Sequence, residues 1–156
     1  MHRRDLPQAF GLALAAGPVV ASWAAKASAL PLVEVWKSPT CGCCAAWVAH
    51  IQAAGFPVAV TEIEAINAIK AKLGVPPALM SCHTALVGGY TLEGHVPAES
   101  VKRLLRERPK AKGLAVPGMP LGSPGMDGPA YGGRNQRYDV LLVARDGSTK
   151  VFSTHN

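Results

Sequence analysis

The chain has 156 residues, so we expect one compact domain, because two domains of this combined length would each bury little surface. Apolar residues make up 49% and charged residues 17%, a balance typical of a packed globular protein and not of a disordered chain. The net charge is +6, and the densest basic segment, Lys102–Lys112, fits the polar face and last turn of a helix without an aromatic platform, which argues against nucleic-acid binding. No apolar run in the body of the chain reaches about 18 residues, which argues against a membrane protein.

The amino terminus has the pattern of an export signal. The pair Arg3-Arg4 precedes an apolar segment, Phe10–Ala25, and Ala27-Ser28-Ala29 offers the small residues that a signal peptidase requires. The two arginines and the weak hydrophobicity of the apolar segment favour a twin-arginine signal, with an ordinary Sec signal and a retained membrane anchor as the alternatives. We therefore predict that residues 1–29 are removed on export to the periplasm, and that residues 30–156 form one monomeric domain that does not contact a membrane.

The remaining chain predicts strands and helices in alternation. Strands are indicated by short apolar and β-branched runs, and helices by apolar residues at helical spacing next to Gly or Pro. In chain order we predict a strand at Leu32–Trp36, a helix at Cys43–Ala54, a strand at Phe56–Val60, a helix at Glu62–Leu73, a hairpin of Thr84–Val87 with Tyr90–Leu92, and a helix at Pro97–Glu107. This β-α-β-α-β-β-α order is the layout of a thioredoxin-like α/β domain.

Residues 109–156 are predicted to be a C-terminal extension of this domain. Pro109–Arg137 is rich in Gly and Pro and predicts a long loop, which in a compact domain is usually functional or disordered. Tyr138–Val143 and Lys150–Phe152 then flank Asp146-Gly147, a strong signal for a β-hairpin.

Three cysteines stand together in Cys41-Gly42-Cys43-Cys44, where the first predicted helix begins. The positive end of a helix dipole favours thiolates, so we expect acidic, nucleophilic sulfur atoms that bind soft metals. A dithiol oxidoreductase needs only Cys41 and Cys44, whereas a third thiol beside them suits a thiophilic ion such as Cu(I) or Zn. If Thr84 starts its strand, Cys82 lies beside the cysteine turn and adds a fourth sulfur. Two structural disulfides and a zinc site are the alternatives.

Histidines and methionines extend this candidate site. His83 adjoins Cys82, and His95 precedes the last predicted helix, so both are candidate ligands. The alternative for His83 is a strand residue that faces solvent. The alternative for His95 is a hydrogen-bonding residue at the start of the helix. Met119 and Met126 lie in the Gly/Pro-rich loop, outside any helical stripe, and we predict that they bind Cu(I) or cover it. Their alternative role is that of apolar plugs.

The sequence resembles the periplasmic CopG-type copper-resistance proteins, long described as a domain of unknown function. The resemblance covers most of the chain after the signal and rests on CGCC at 41–44, W-x-x-H at 47–50, GVP at 74–76, SCHTA at 81–85, GY at 89–90, EGHVPA at 93–98 and GLAVPGMPLGSPGM at 113–126. It implies a thioredoxin-like fold whose C-terminal extension contributes to metal binding, and a cysteine-bridged copper cluster beside the cysteine turn. The implied ligands are Cys41, Cys43, Cys44 and Cys82, followed by His83, His95, Met119 and Met126.

We therefore predict a periplasmic protein of copper resistance that holds copper, as Cu(I) or Cu(II), in a thiolate-rich site. The resemblance implies interconversion of the two oxidation states alongside periplasmic efflux, so copper ions and efflux or carrier proteins are the expected partners. Imidazole beside thiolate makes the site acceptable to both oxidation states. A thiol–disulfide oxidoreductase that uses Cys41 and Cys44, and a passive Cu(I) carrier, are the alternatives.

Overall fold

The computed structural model of the protein describes residues 29–156 as a mixed α/β fold with a seven-stranded sheet and three α-helices. The α/β class that the sequence predicts is confirmed. The predicted signal at 1–29 lies outside the described residues, apart from Ala29. Among the helices of the described part, none has the length and apolar character that a bilayer span requires.

The seven strands form a single sheet, and the helices lie in the connections between strands. The helices are α1 at Gly42–Ala53, α2 at Ile66–Lys72 and α3 at Ala98–Glu107. The strands are β1 at Val33–Lys37, β2 at Val58–Glu62, β3 at His83–Val87, β4 at Tyr90–Glu93, β5 at Gly113–Ala115, β6 at Tyr138–Val143 and β7 at Thr149–His155.

The strand order in the sheet is β2-β1-β3-β4-β5-β6-β7. The pairs β1–β2 and β4–β5 are parallel, and the other neighbouring pairs are antiparallel. Because β1 and β3 run in opposite directions, the last residue of β1, Lys37, pairs with the first residue of β3, His83. The turn that leads from β1 into α1 therefore lies beside the residues that precede β3, and this register brings the cysteine motif next to Cys82.

One apolar cluster joins α1, α3 and the central strands. Trp47 and Ile51 lie one helical turn apart on α1 and are fully buried, as the period of a helix requires of an inward face. The indole Nε1 of Trp47 donates a hydrogen bond to the carbonyl oxygen of Val96 at 2.8 Å. This bond ties α1 to the segment just before α3, which carries His95.

The predicted helix at Glu62–Leu73 is wrong in its first turn. Glu62 instead ends β2, where it pairs with Lys37 in the sheet and its Oε1 lies 2.9 Å from the Lys37 ammonium. The helix begins only at Ile66. Its most buried residue is Lys70, which lies one turn after the half-buried Ile66 on the same inward face. A buried partner for the lysine, described below, explains why a charged residue lies there.

The predicted loop at Pro109–Arg137 is wrong in one part. It contains β5, because Gly113–Ala115 pairs with β4 on one side and β6 on the other. Gly-Leu-Ala has little intrinsic preference for a strand, so the two neighbouring strands determine its conformation. The last strand is also longer than the predicted Lys150–Phe152 and runs to His155.

Candidate metal centre

The cysteine motif forms the start of α1. Cys41 is extended, with φ −79° and ψ 97°, and caps the helix that begins at Gly42. Its carbonyl oxygen accepts a hydrogen bond from the backbone N–H of Ala45 at 3.2 Å. Cys41 and Cys44 are joined by a disulfide, and Cys44 is fully buried. In this state two of the four sulfur atoms that are predicted as ligands are bonded to each other.

The other two cysteines complete a compact group of sulfur atoms. The Sγ atom of Cys43 lies 3.5 Å from Sγ of Cys41 and 3.8 Å from Sγ of Cys82. All four sulfur atoms lie within 4.8 Å of one another, and we call them the thiol cluster. The predicted approach of Cys82 to the cysteine turn is therefore observed, although the strand begins at His83 rather than at Thr84.

Two histidine side chains also lie close to the sulfur atom of Cys82. The Sγ atom of Cys82 lies 3.0 Å from Nε2 of His95 and 3.5 Å from Nδ1 of His83. One donor atom from each of the three residues lies within 4.8 Å of the others, and we call them the Cys-His group. Both histidines are fully buried, so the solvent-facing alternative for His83 is wrong. Cys82 belongs to both groups and connects them.

The hydrogen bonds of His95 define its protonation. Its Nδ1 lies 2.7 Å from the carbonyl oxygen of Pro124, and since a carbonyl only accepts, Nδ1 carries the proton. In the neutral ring the lone pair is then on Nε2, which faces Cys82. A carbonyl that fixes the tautomer of a histidine in this way is typical of metal-ligating imidazoles. Burial lowers the pKa of His95, which favours this neutral form.

His83 carries a nitrogen without a partner. Its Nε2 is buried and is the one such side-chain atom without a hydrogen bond among the described residues. Burial holds the pKa of His83 well below its usual range, and the neighbouring His95 and Lys70 lower it further. The ring packs against Trp47 at 4.3 Å between centroids. A neutral imidazole has a lone pair on one of its two nitrogens, as a metal ligand requires, and Nδ1 is the nitrogen that lies near Sγ of Cys82.

The acidic thiols that are predicted for the cysteine turn do not extend to Cys82. Burial, together with the adjacent Cys43, raises the pKa of the Cys82 thiol to about 12. Cys82 lies at the start of a strand and not at a helix amino terminus, so the helix dipole does not offset its desolvation. A bound metal ion would have to displace this proton.

The Gly/Pro-rich loop lies across the site. The hydroxyl of Ser81 donates to the carbonyl oxygen of Gly118, and Pro124 contacts His95 as described. Gly125 has φ +90°, and a Cβ atom there would lie 2.5 Å from the carbonyl oxygen of Cys43 and 2.9 Å from the nitrogen of Trp47. Only glycine allows this approach of the loop to α1.

The two methionines of the loop occupy different environments. Met126 is 7% exposed, whereas Met119 is 52% exposed. The alternative role of an apolar plug therefore does not fit Met119. The residue before Met119, Gly118, accepts a hydrogen bond from Ser81, which is the neighbour of Cys82 in the chain.

A polar network beside the Cys-His group has no counterpart among the residues predicted from the sequence. The ammonium of Lys70 and the carboxylate of Glu93 lie 2.6 Å apart, and both side chains are buried. Lys70 stands in a lysine-containing helix and Glu93 at the end of a hairpin, and neither position carries a local signal of burial.

The fold and this site define a protein with a preformed set of soft sulfur and borderline nitrogen donors, as expected of a thiophilic-metal protein. A family described as a protein of unknown function, DUF411, matches residues 79–126, which include Cys82, both histidines of the Cys-His group and both loop methionines. No curated protein gives a significant match.

Two solved structures are similar to the chain over most of its length. Copper resistance protein CopG in form 1 is 40% identical, with 81% of this chain and 98% of that chain covered and a TM-score of 0.74. Form 2 of the same protein is 41% identical, with 81% and 99% covered and a TM-score of 0.74. The chain therefore belongs to the CopG family of copper resistance proteins.

Proposed function

We propose that the protein is an exported copper-binding protein of copper resistance whose ligands come from the thiol cluster and the Cys-His group. The observation that carries the proposal is the overlap of the two groups at Cys82, each with its donor atoms within 4.8 Å. Bridging by a shared thiolate allows few residues to hold several ions. The copper resistance function of the relatives supports copper over zinc as the ion.

The two groups differ in the copper oxidation state that they favour. Thiolates select Cu(I), whereas imidazole nitrogens also accept Cu(II). A site that offers both, side by side, supports interconversion of Cu(I) and Cu(II) as the role of the protein. A passive Cu(I) carrier would use the same ligands without turnover.

The disulfide between Cys41 and Cys44 makes the copper capacity depend on the redox state. A disulfide sulfur is not a thiolate ligand, so both residues become ligands only after the bond takes up two electrons from a reductant to give two thiolates. We propose that the reduced protein is the form that carries a multi-copper cluster. The oxidised form retains the Cys-His group and Cys43.

The loop methionines are proposed to serve different steps. Met126, which is buried, completes the cover of the site, whereas the exposed Met119 presents a thioether at the surface. Thioethers bind Cu(I), so Met119 is suited to exchange the ion with an efflux or carrier protein.

A thiol–disulfide oxidoreductase is the second candidate, and the Cys41–Cys44 disulfide at a helix amino terminus favours it. That activity would reduce or oxidise protein disulfides without metal. It would not need Cys43, Cys82 or the histidines.

We also propose that β1 to α3 form a thioredoxin-like core, with residues 109–156 as its extension in one domain of residues 30–156. The β2-β1-β3-β4 order with a parallel β1–β2 pair supports this assignment. The predicted signal at 1–29, of twin-arginine or Sec type, would deliver the protein to the periplasm.

Metal content and free thiols test the proposal, measured first on the protein as purified from copper-supplemented cells and again after reduction of the Cys41–Cys44 disulfide. We expect more than one copper per chain in the wild type. In Cys82→Ser we expect at least a ten-fold loss of copper affinity, because Cys82 belongs to both groups. Losses of about 10- to 100-fold are usual even for residues that only support a ligand. Cys43→Ser should lose only part of the copper. A wild type without copper, with two free thiols and one reducible disulfide, would favour the oxidoreductase.

A further inference from the structure

The ion pair of Lys70 and Glu93 lies deep in the protein between α2 and β4. Their side chains are 1% and 2% exposed, and the ammonium and carboxylate atoms are 2.6 Å apart. Burial of an ion pair costs desolvation on both sides, and an apolar pair of the same size is often equally stable. The pair is therefore poorly explained as a device for stability alone.

The contacts of the Glu93 carboxylate point to a second role. Its Oε1 also accepts a hydrogen bond from the backbone N–H of Ser81 at 2.6 Å, and its Oε2 accepts one from the hydroxyl of Thr84 at 2.6 Å. Lys70 donates to the same hydroxyl at 2.9 Å. A single carboxylate therefore holds the chain immediately before and immediately after Cys82-His83.

Backbone hydrogen bonds between β3 and the end of β4 hold the segment that carries His95 next to His83. Thr84 pairs with Glu93 in the β3–β4 ladder, and the N–H of Gly94 donates to the carbonyl oxygen of His83 at 3.0 Å. His95 follows one residue later. The three members of the Cys-His group are thus carried by two chain segments that meet at Glu93.

We propose that Glu93 is a positioning residue for copper binding, and that Lys70 is the counter-ion that permits its burial. Glu93 does not contact the metal; it fixes the Ser81–Thr84 segment so that Cys82 and His83 face His95. This inference rests on the proposed copper function. Removal of a group that orients ligands typically lowers metal affinity by about 10- to 100-fold.

Two charge-free double variants separate positioning from charge. In Lys70→Met/Glu93→Gln, the glutamine oxygen can still accept the hydrogen bond from the N–H of Ser81, and its amide group can still reach the hydroxyl of Thr84. In Lys70→Met/Glu93→Leu, both contacts are lost. Lys112→Met is the matched control, because the Lys112 ammonium donates to Gly74 at the end of the same helix α2. Each protein is expressed from the full-length sequence and measured as purified.

The first readout is Cu(I) affinity by competition with a chelator, together with the absorption spectrum of the copper-loaded protein. We expect the Gln variant and the Lys112→Met control to remain close to wild type, and the Leu variant to lose at least about 10-fold in affinity with a changed spectrum. Equal affinity in all variants, or an equal loss in the Gln and Leu variants, would overturn the proposal.

The second readout does not need copper. In the metal-free, disulfide-bonded protein we measure the rate of Cys82 alkylation by iodoacetamide with peptide mass spectrometry, with Cys43 as the internal reference. We expect a changed Cys82 rate in the Leu variant only. If the wild type binds no copper, the proposed function fails, and this rate still decides whether Glu93 positions Cys82. If the Leu variant does not fold, Thr84→Val takes its place, because it removes one contact of the carboxylate. We then expect a lower Cu(I) affinity and a changed rate of Cys82 alkylation, as for the Leu variant.

Discussion

The thiol cluster and the Cys-His group share Cys82 but differ in how their donors are held. The other sulfurs of the thiol cluster come from one helical turn, and two of them are joined in a disulfide. In the Cys-His group both imidazoles are buried, and the carbonyl of Pro124 fixes the ring of His95. One group can change its number of free thiols by redox chemistry, and the other is fixed by packing and hydrogen bonds.

Under the proposed copper function, this difference predicts separate roles for the two groups. A preorganised group with neutral imidazoles is ready to bind an ion without rearrangement, so it should determine the geometry of the first copper. The group with variable sulfur chemistry should determine how many further ions are bound. The connection between the two roles is Cys82.

Reduction of the Cys41–Cys44 disulfide is expected to have the largest effect. Cu(I) titrations of the oxidised protein and of protein reduced with TCEP, both anaerobic and freed of excess reductant, should give a higher copper capacity for the reduced form, because two more thiolates become available. In the double variant Cys41→Ser/Cys44→Ser the capacity should be low with and without TCEP. Equal capacity in the two wild-type forms would contradict the separation of the groups.

Gly125→Ala should loosen the cover over both groups. The new Cβ would lie 2.5 Å from the Cys43 carbonyl oxygen at a residue with φ +90°, so we expect a loss of about 1–3 kcal/mol in the free energy of unfolding and faster release of copper. Urea unfolding and chelator-driven release measure the two effects. Gly128→Ala is the control in the same loop, since its Cβ would meet nothing within 4 Å. Identical behaviour of the two variants would refute the role of Gly125.

Much of the fold follows from local sequence patterns. The helix at α1 and the β3–β4 hairpin lie within one residue of their predicted bounds, because apolar spacing and Gly turns are local signals. The approach of Cys82 to the cysteine turn was also predictable, since it follows from the antiparallel pairing of β1 with β3.

The remaining features depend on contacts that are distant in sequence. Lys70 is buried because Glu93, which lies 23 residues away, provides its partner, and no pattern within α2 indicates this. β5 exists because β4 and β6 enclose it. The sequence also leaves the redox state of Cys41 and Cys44 open, because the same residues serve a disulfide or a metal site.

His50 lies outside both groups and should affect the fold alone, with the smallest effect. Its Nε2 accepts a hydrogen bond from the N–H of Ala98 at 3.0 Å, so this histidine, and not His95, serves the amino terminus of α3. Burial lowers the pKa of His50, so the unfolded chain takes up a proton below pH of about 6.5 while the folded protein does not yet do so. The stability that neutral His50 contributes is therefore complete above that pH and declines as the pH falls.

His50→Gln keeps an acceptor for Ala98 but does not titrate. We expect its free energy of unfolding at pH 7.5 to lie within about 1 kcal/mol of wild type, as for the exchange of one hydrogen bond, and its copper affinity to be unchanged. Between pH 7.5 and 5 the wild type should lose stability relative to the variant in metal-free urea titrations. His83 and His95 are present in both proteins, so the difference between the two curves isolates His50. Parallel curves would show that His50 does not titrate on unfolding, whereas a loss of copper in His50→Gln would extend the metal site beyond the two groups that meet at Cys82.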